Sequence, residues 1–205
     1  MLMRRDERPA GVMPLRPTVS LIDWPQTLAA RGRNTLSPGH LRHRPPVPQA
    51  TRLHCFLLDS SASMRLSGGL AQAKGLLLKL MQEAYRRRDR VALLTLSGNG
   101  VQLQLSPRRA AGVNDALITP IGGGGGTPLA EGVAAADRVM RRSKVGHCSF
   151  WLLTDGRSRE LPVVPRAAHA LSVVDFESGR LVLGRAGVLA GQWGAGYLRF
   201  SEIGV

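Results

Sequence analysis

The sequence predicts an α/β protein: a doubly wound, mostly parallel sheet with one antiparallel edge strand and helices on both faces. Three observations predict it. Continuous apolar runs of strand length recur at Leu53–Asp59, Arg90–Ser97 and Cys148–Asp155, as in strands covered on both faces. Amphipathic stretches of helical period separate them, the alternation that builds a parallel sheet. A shorter stretch, "VQLQLS", alternates apolar and polar residues and so reads as a half-buried strand at the sheet edge.

Taken in order, residues 1–50 form a Pro- and Arg-rich arm that closes with "RPPVPQA", Arg44 to Ala50. One island within it, Ser20 to Gly32, has apolar residues and a short helix predicted after Pro25, which leaves open a docked segment or a floating tail. Residues 51–205 form the domain proper. After the first strand, Leu70, Ala73, Leu77, Leu80, Met81 and Ala84 recur at three-and-four spacing, and Arg86, Arg87 and Arg88 suit the C-terminus of that helix. The strand "RVALLTLS" then turns at Gly98–Gly100 into the edge strand, placing Val101, Leu103 and Leu105 on one face. A helix around Ala110–Leu117 leads to five glycines, Gly122–Gly126. Leu129, Val133, Ala136 and Met140 mark the next helix, with Thr127 as N-cap and Pro128 at its first position. Beyond Asp155, "HALSVVDFE" is a further strand, reached with a short helix or none. The final segment holds a helix to about Trp193 and a short edge element.

The composition narrows the function classes. With 205 residues, one core is the simpler expectation. The formal net charge of +14, almost all of it from Arg, points to an acidic partner or to solubility by self-repulsion. Nucleic acid is disfavoured, because no aromatic residues interleave with the basic ones as a stacking platform. Cys55 and Cys148 read as small core residues. If Asp59 and Asp155 end neighbouring strands at one level, the two thiols lie about 10 Å apart along the strands, too far for a bridge. No apolar run reaches the roughly 20 residues of a membrane span, and the N-terminal stretch lacks the apolar centre of a secretory signal, so a cytoplasmic location is expected.

Ligands of such sheets bind beyond the carboxyl ends of the strands, where strand order reverses. Three polar clusters map there: Asp59-Ser60-Ser61-Ala62-Ser63, Thr127, and Asp155. Each has a plain reading as a helix cap or turn. Together they offer oxygen ligands without Cys or His, a set suited to a hard cation such as Mg²⁺ and unsuited to Zn²⁺. The preceding glycines would let the backbone approach an ion. Ser60 is expected to face away from it.

Asp-x-Ser-x-Ser at Asp59, Ser61 and Ser63, followed by Thr127 and then Asp155, resembles the metal-ion-dependent adhesion site (MIDAS) of the von Willebrand factor A family. The resemblance implies the Rossmann-like fold of that family and a Mg²⁺ ion, with Mn²⁺ as the alternative, whose octahedron is completed by a carboxylate from another protein. "AYRRRDRVALLTLSGNGVQL", "GGGGTPLAEGVAAA" and "LLTDGR" are similar to the A domain of the magnesium-chelatase D subunit and its cobaltochelatase relatives. That similarity implies a docking part of an ATP-dependent tetrapyrrole metal chelatase, in cobalamin or chlorophyll-type biosynthesis. The implied partners are an AAA+-type ATPase subunit and a large tetrapyrrole-binding subunit, the contact being made through an acidic residue. Arg86, Arg87, Arg88 and Arg157 are candidates for a positive rim.

Intrinsic catalysis finds no support. The glycine loop lacks the Lys-Ser/Thr pair of a nucleotide-binding loop, and no nucleophile elbow with an approachable His is present. His54 and His147 begin strands, at the end opposite Asp59. The alternative is a generic adaptor of the same family that takes an acidic motif from an unrelated partner.

Overall fold

The computed structural model describes residues 22–43, 51–110, 118, 121, 127–179 and 182–202. The chain divides into two compact units, 1–49 and 50–205. In the first, α1 (Trp24–Arg31) begins one residue before the expected Pro25 and is capped by Asp23, whose carboxylate accepts the Gln26 N–H at 3.2 Å. Its Thr27 hydroxyl accepts the Arg42 N–H at 2.9 Å, and Ile22 bridges His43.

The second unit is a six-stranded sheet. Its strands are β1 (Arg52–Asp59), β2 (Arg90–Ser97), β3 (Gly100–Arg109), β4 (His147–Thr154), β5 (Ala170–Asp175) and β6 (Gly196–Arg199), arranged in the order β3-β2-β1-β4-β5-β6. All neighbours are parallel except β2 and β3. The helices are α2 (Ala62–Leu66), α3 (Gly69–Arg86), α4 (Leu129–Arg142) and α5 (Arg185–Trp193). Between β4 and β5 no helix forms; the connection carries Pro162 and Pro165 and ends where the His169 N–H donates to Cys148 O at 2.8 Å.

The period of two along β1 divides the core. Leu53, Cys55 and Leu57 pack with α4 and α5 residues such as Val133, Met140, Leu189 and Trp193. Phe56 and Leu58 pack with Leu70, Ala73, Leu77 and Met81 of α3. Burying each such Leu or Phe contributes about 1.5–3 kcal/mol, enough to fix the register, since a slip by one residue would exchange the two faces. Gly132 of α4 is forced by this packing: a Cβ there would overlap the Leu96 side chain and come within 3.3 Å of Leu57.

Four expectations are corrected. The alternation Val101, Leu103, Leu105 does not hold to one face, because register shifts interrupt the β2–β3 pairing at Val91/Leu93 and Leu93/Leu94. Such a bulge moves following side chains to the other side, so Val101 joins the α4 side, Leu105 is buried on the α3 side and Leu103 is exposed. Pro128, not Thr127, is the N-cap of α4, and it offers no side-chain cap. Leu58 pairs with Leu153, which puts Asp59 level with Thr154 rather than Asp155. Cys148 consequently faces Leu53, only two residues from Cys55 or about 7 Å along the strand; both thiols are free and buried. The helix expected around Ala110–Leu117 and the glycines Gly122–Gly126 lie outside the described residues. No described helix is long and apolar enough to cross a membrane.

Candidate metal centre

The strand order reverses between β1 and β4, since the chain proceeds from β1 to β2 on one side and from β4 to β5 on the other. The carboxyl end of β1 leads into α2 and α3 while that of β4 leads into the β4–β5 loop, and the divergence of the two leaves a crevice. Asp59 ends β1, completely buried. Three donors hold its carboxylate: the Ser61 N–H reaches Oδ1 at 2.9 Å, the Thr127 hydroxyl reaches Oδ1 at 3.4 Å and the Thr154 hydroxyl reaches Oδ2 at 2.7 Å. Burial nonetheless pushes the Asp59 carboxyl above its usual range; nearby Asp155 adds to this, and the hydrogen bonds from Thr154 and Ser61 oppose it.

Ser61 stands at the N-cap of α2, yet its hydroxyl makes no capping bond. It lies 3.1 Å from the Ser63 hydroxyl instead, both beside the crevice. Ser60 turns away as expected, donating to Leu96 O at 2.6 Å. Asp155 follows β4 and is buried; its Oδ1 accepts the Arg157 N–H at 3.1 Å. Asp155 Oδ2 is enclosed without a hydrogen-bond partner, with only a loose ion pair to Arg157 Nε at 3.8 Å. Gly156 permits the turn: its φ is +67°, and a Cβ would press on the Ala186 backbone nitrogen at 2.7 Å.

Ser61, Ser63, Thr127, Arg157, Ser158, Arg159 and Glu160 line an open depression of about 410 Å³. Among the described residues no three His, Cys, Asp or Glu side chains converge. The convergent set is two buried carboxylates and three hydroxyls. A buried carboxylate oxygen left unsatisfied is costly unless a cation or donor meets it. Asp155 Oδ2 and the oxygen-only chemistry of its neighbours thus fit a hard divalent cation such as Mg²⁺.

The structure brings together all five predicted ligands, Asp59, Ser61, Ser63, Thr127 and Asp155, along with Arg157. It does not bring Arg86, Arg87 and Arg88 to them. Those residues lead into Arg90, which pairs with Leu53, so they sit at the opposite end of β1, about 20 Å from Asp59. Three contributors escaped the sequence reading. Thr154 orients Asp59, and the Ser158 hydroxyl donates to Thr127 O at 3.5 Å. Glu160 accepts the Ala130 N–H at 2.7 Å and supplies the cap that Pro128 cannot. Thr154 takes its place from the β1–β4 register, which the sequence did not reveal; Ser158 and Glu160 lie in an irregular loop with no periodic signal.

An open α/β sheet carrying an oxygen-only site at its topological switch point defines the class. The family model for the von Willebrand factor type A domain matches residues 55–157, and the chain belongs to that family. An uncharacterized protein of Mycobacterium tuberculosis is 34% identical over 200 residues, which is 86% of this chain and 32% of that protein. The magnesium-chelatase 60 kDa subunit of Cereibacter sphaeroides is 35% identical over 122 residues, 58% of this chain and 22% of that subunit. The resemblance to magnesium-chelatase subunits read from the motifs is therefore present across the A domain. The chain spans about a third or less of the length of these curated relatives. Among solved structures, the PilB minor pilin of Streptococcus sanguinis superposes with a TM-score of 0.61 over 80% of this chain and 62% of the pilin, at 11% identity, which shows a shared fold.

Proposed function

We propose that this chain is a Mg²⁺-dependent docking component of an ATP-dependent tetrapyrrole metal chelatase. In this reading Asp59, Ser61, Ser63, Thr127 and Asp155 hold the ion directly or through water, and an aspartate or glutamate of an ATPase or large chelatase subunit meets it. The observation that carries the proposal is the buried Asp155 Oδ2, which has no hydrogen-bond partner, beside three convergent hydroxyls. The similarity to magnesium-chelatase subunits supplies the choice of complex.

When bound, Mg²⁺ supplies a hard Lewis-acidic centre that an outside carboxylate can complete. Asp59 is held by Thr154 and Ser61 N–H, so its carboxylate needs little reorganisation. The hydroxyls of Ser61, Ser63 and Thr127 are neutral ligands, so only the Asp59 and Asp155 carboxylates offset the charge of the ion toward an incoming acid. Arg157 adds positive charge at the rim, held by Asp155.

The test is affinity capture from extract of the source cell, with Mg²⁺ or EDTA, using the wild-type chain and the Ser61→Ala/Ser63→Ala variant. The proposal expects chelatase subunits to be retained by the wild type with Mg²⁺ only, and not by the variant. Mg²⁺-dependent retention of other proteins alone would keep the site and overturn the chelatase assignment, favouring a generic adaptor. Metal-independent retention, or retention by the variant, would overturn the mechanism.

A further inference from the structure

We propose a second docking surface at the end of the domain opposite the oxygen site, shaped for an acidic protein segment. It is independent of the metal reading, since no residue is shared. The topology gathers arginines there from four elements: Arg52 opens β1, Arg87 and Arg88 follow α3, Arg90 opens β2, and antiparallel β3 returns Arg108 and Arg109 to the same end. All but Arg90, which is half-buried, are exposed.

Two features set this surface apart from a merely solvated helix end. Arg90 faces Arg109 directly across the β2–β3 ladder. Like charges at opposed positions of neighbouring strands destabilise a sheet, so the pairing is one that an incoming anion would relieve. The local acids are also already engaged. Glu83 holds Arg86 at 3.4 Å and Arg87 at 2.8 Å, and buried Asp89 accepts the Arg52 N–H at 3.0 Å and faces His54 Nε2 at 3.3 Å. Among the described residues, Arg88, Arg90, Arg108 and Arg109 have no ion-pair partner.

The chemistry already present at this end is guanidinium on carboxylate, as in the Glu83 pairs, and planar guanidinium groups match further carboxylates by the same fork. A nucleic acid would also meet the charge. Stacking platforms for bases are missing here, however, since Tyr85 is the only exposed aromatic residue described beside these arginines. The occupant is therefore an extended, Asp/Glu-rich segment of a protein, held without a metal ion.

Fluorescence anisotropy with labelled polyglutamate of about 20 residues, in EDTA, tests this on the full chain. Arg88→Gln/Arg108→Gln/Arg109→Gln removes three exposed charges without touching the core. The control variant, Arg65→Gln/Lys79→Gln/Arg185→Gln, lowers net charge equally at positions away from this surface. The proposal expects the first variant to bind at least about ten-fold more weakly and the control within about two-fold of wild type, with the melting temperature of the first variant no lower than wild type and that of the control unchanged. Equal weakening in both variants would reduce the effect to net charge and overturn the surface. Tighter binding of an oligodeoxythymidine of equal charge than of polyglutamate would overturn the acidic protein as occupant.

Discussion

Thr154 shows how one side chain outside the predicted five can orient a member of that cluster. Its hydroxyl donates to Asp59 Oδ2 at 2.7 Å and accepts the Gly156 N–H at 3.1 Å, tying the ends of β1 and β4 together. Thr154→Val keeps the shape and removes both bonds. Expected are a loss of roughly 1–3 kcal/mol in unfolding free energy and a Mg²⁺ affinity weakened about 10- to 100-fold, read by chemical denaturation and calorimetry. His54 offers a second test at this scale. It lies 3.4 Å from Trp151 Nε1 through Nδ1 and 3.3 Å from Asp89 through Nε2, which assigns the neutral tautomer with the proton on Nε2. Burial chiefly lowers its pKa, with Arg52 and Arg87 adding to the effect and Asp89 opposing it. The unfolded chain then binds this proton more readily. Its contribution to stability is complete above pH about 6.5 and is lost as pH falls from there through the lower folded value. Melting at pH about 7.5 and 5.5 should therefore show a larger drop for wild type than for His54→Gln, and equal drops would contradict the linkage. The clustering of Asp59, Ser61, Ser63, Thr127 and Asp155 was legible in the sequence because strand ends at a switch point are chemically marked; the donors that support Asp59 were not, because hydroxyl direction depends on register.

At the scale of elements, α4 depends on groups far from it in sequence. Its N-terminus has no side-chain cap of its own, and Glu160 from the β4–β5 loop accepts the Ala130 N–H. Glu160→Ala should cost about 0.5–2 kcal/mol, through the lost cap and the lost negative charge at a helix start. Its opposite-sign partner is Gly132→Ala, which improves helix propensity by about 1 kcal/mol. Overpacking against Leu96 and Leu57 should outweigh that gain and leave a net loss of order 1–2 kcal/mol on denaturation. A stabilised variant would mean that Leu96 can move aside. The strands, α3 and α4 were legible because apolar period and length agree there. The β3 face was not, because a bulge leaves alternation in the sequence intact while turning the side chains over. The cap was mistaken for a related reason: Thr-Pro signals a helix start, but the Thr127 hydroxyl finds a better acceptor in the buried Asp59 carboxylate.

Across the whole molecule, the sheet separates two chemistries by about 20 Å, the length of a strand. Buried carboxylates and hydroxyls gather at the carboxyl ends of β1 and β4, and arginines gather at the other end. The polarity follows from topology. Parallel strands send all their carboxyl ends one way, and the helices return their C-termini, rich in basic residues, to the opposite side. Sequence patterning carried the α/β architecture and the clustering of oxygen-bearing side chains, whereas it grouped Arg86, Arg87 and Arg88 with Arg157 as one rim although they lie at opposite ends of the strands, because charge in a sequence carries no direction until the strand register is known.

The central claim is that Asp59, Ser61, Ser63, Thr127 and Asp155 form one cation site, and the most direct measurement is calorimetric titration of Mg²⁺ into the EDTA-treated, desalted chain. The account predicts a single site per chain that disappears in Ser61→Ala/Ser63→Ala while the melting temperature without metal is retained. Absence of binding in the wild type, or equal binding in that variant, would contradict it.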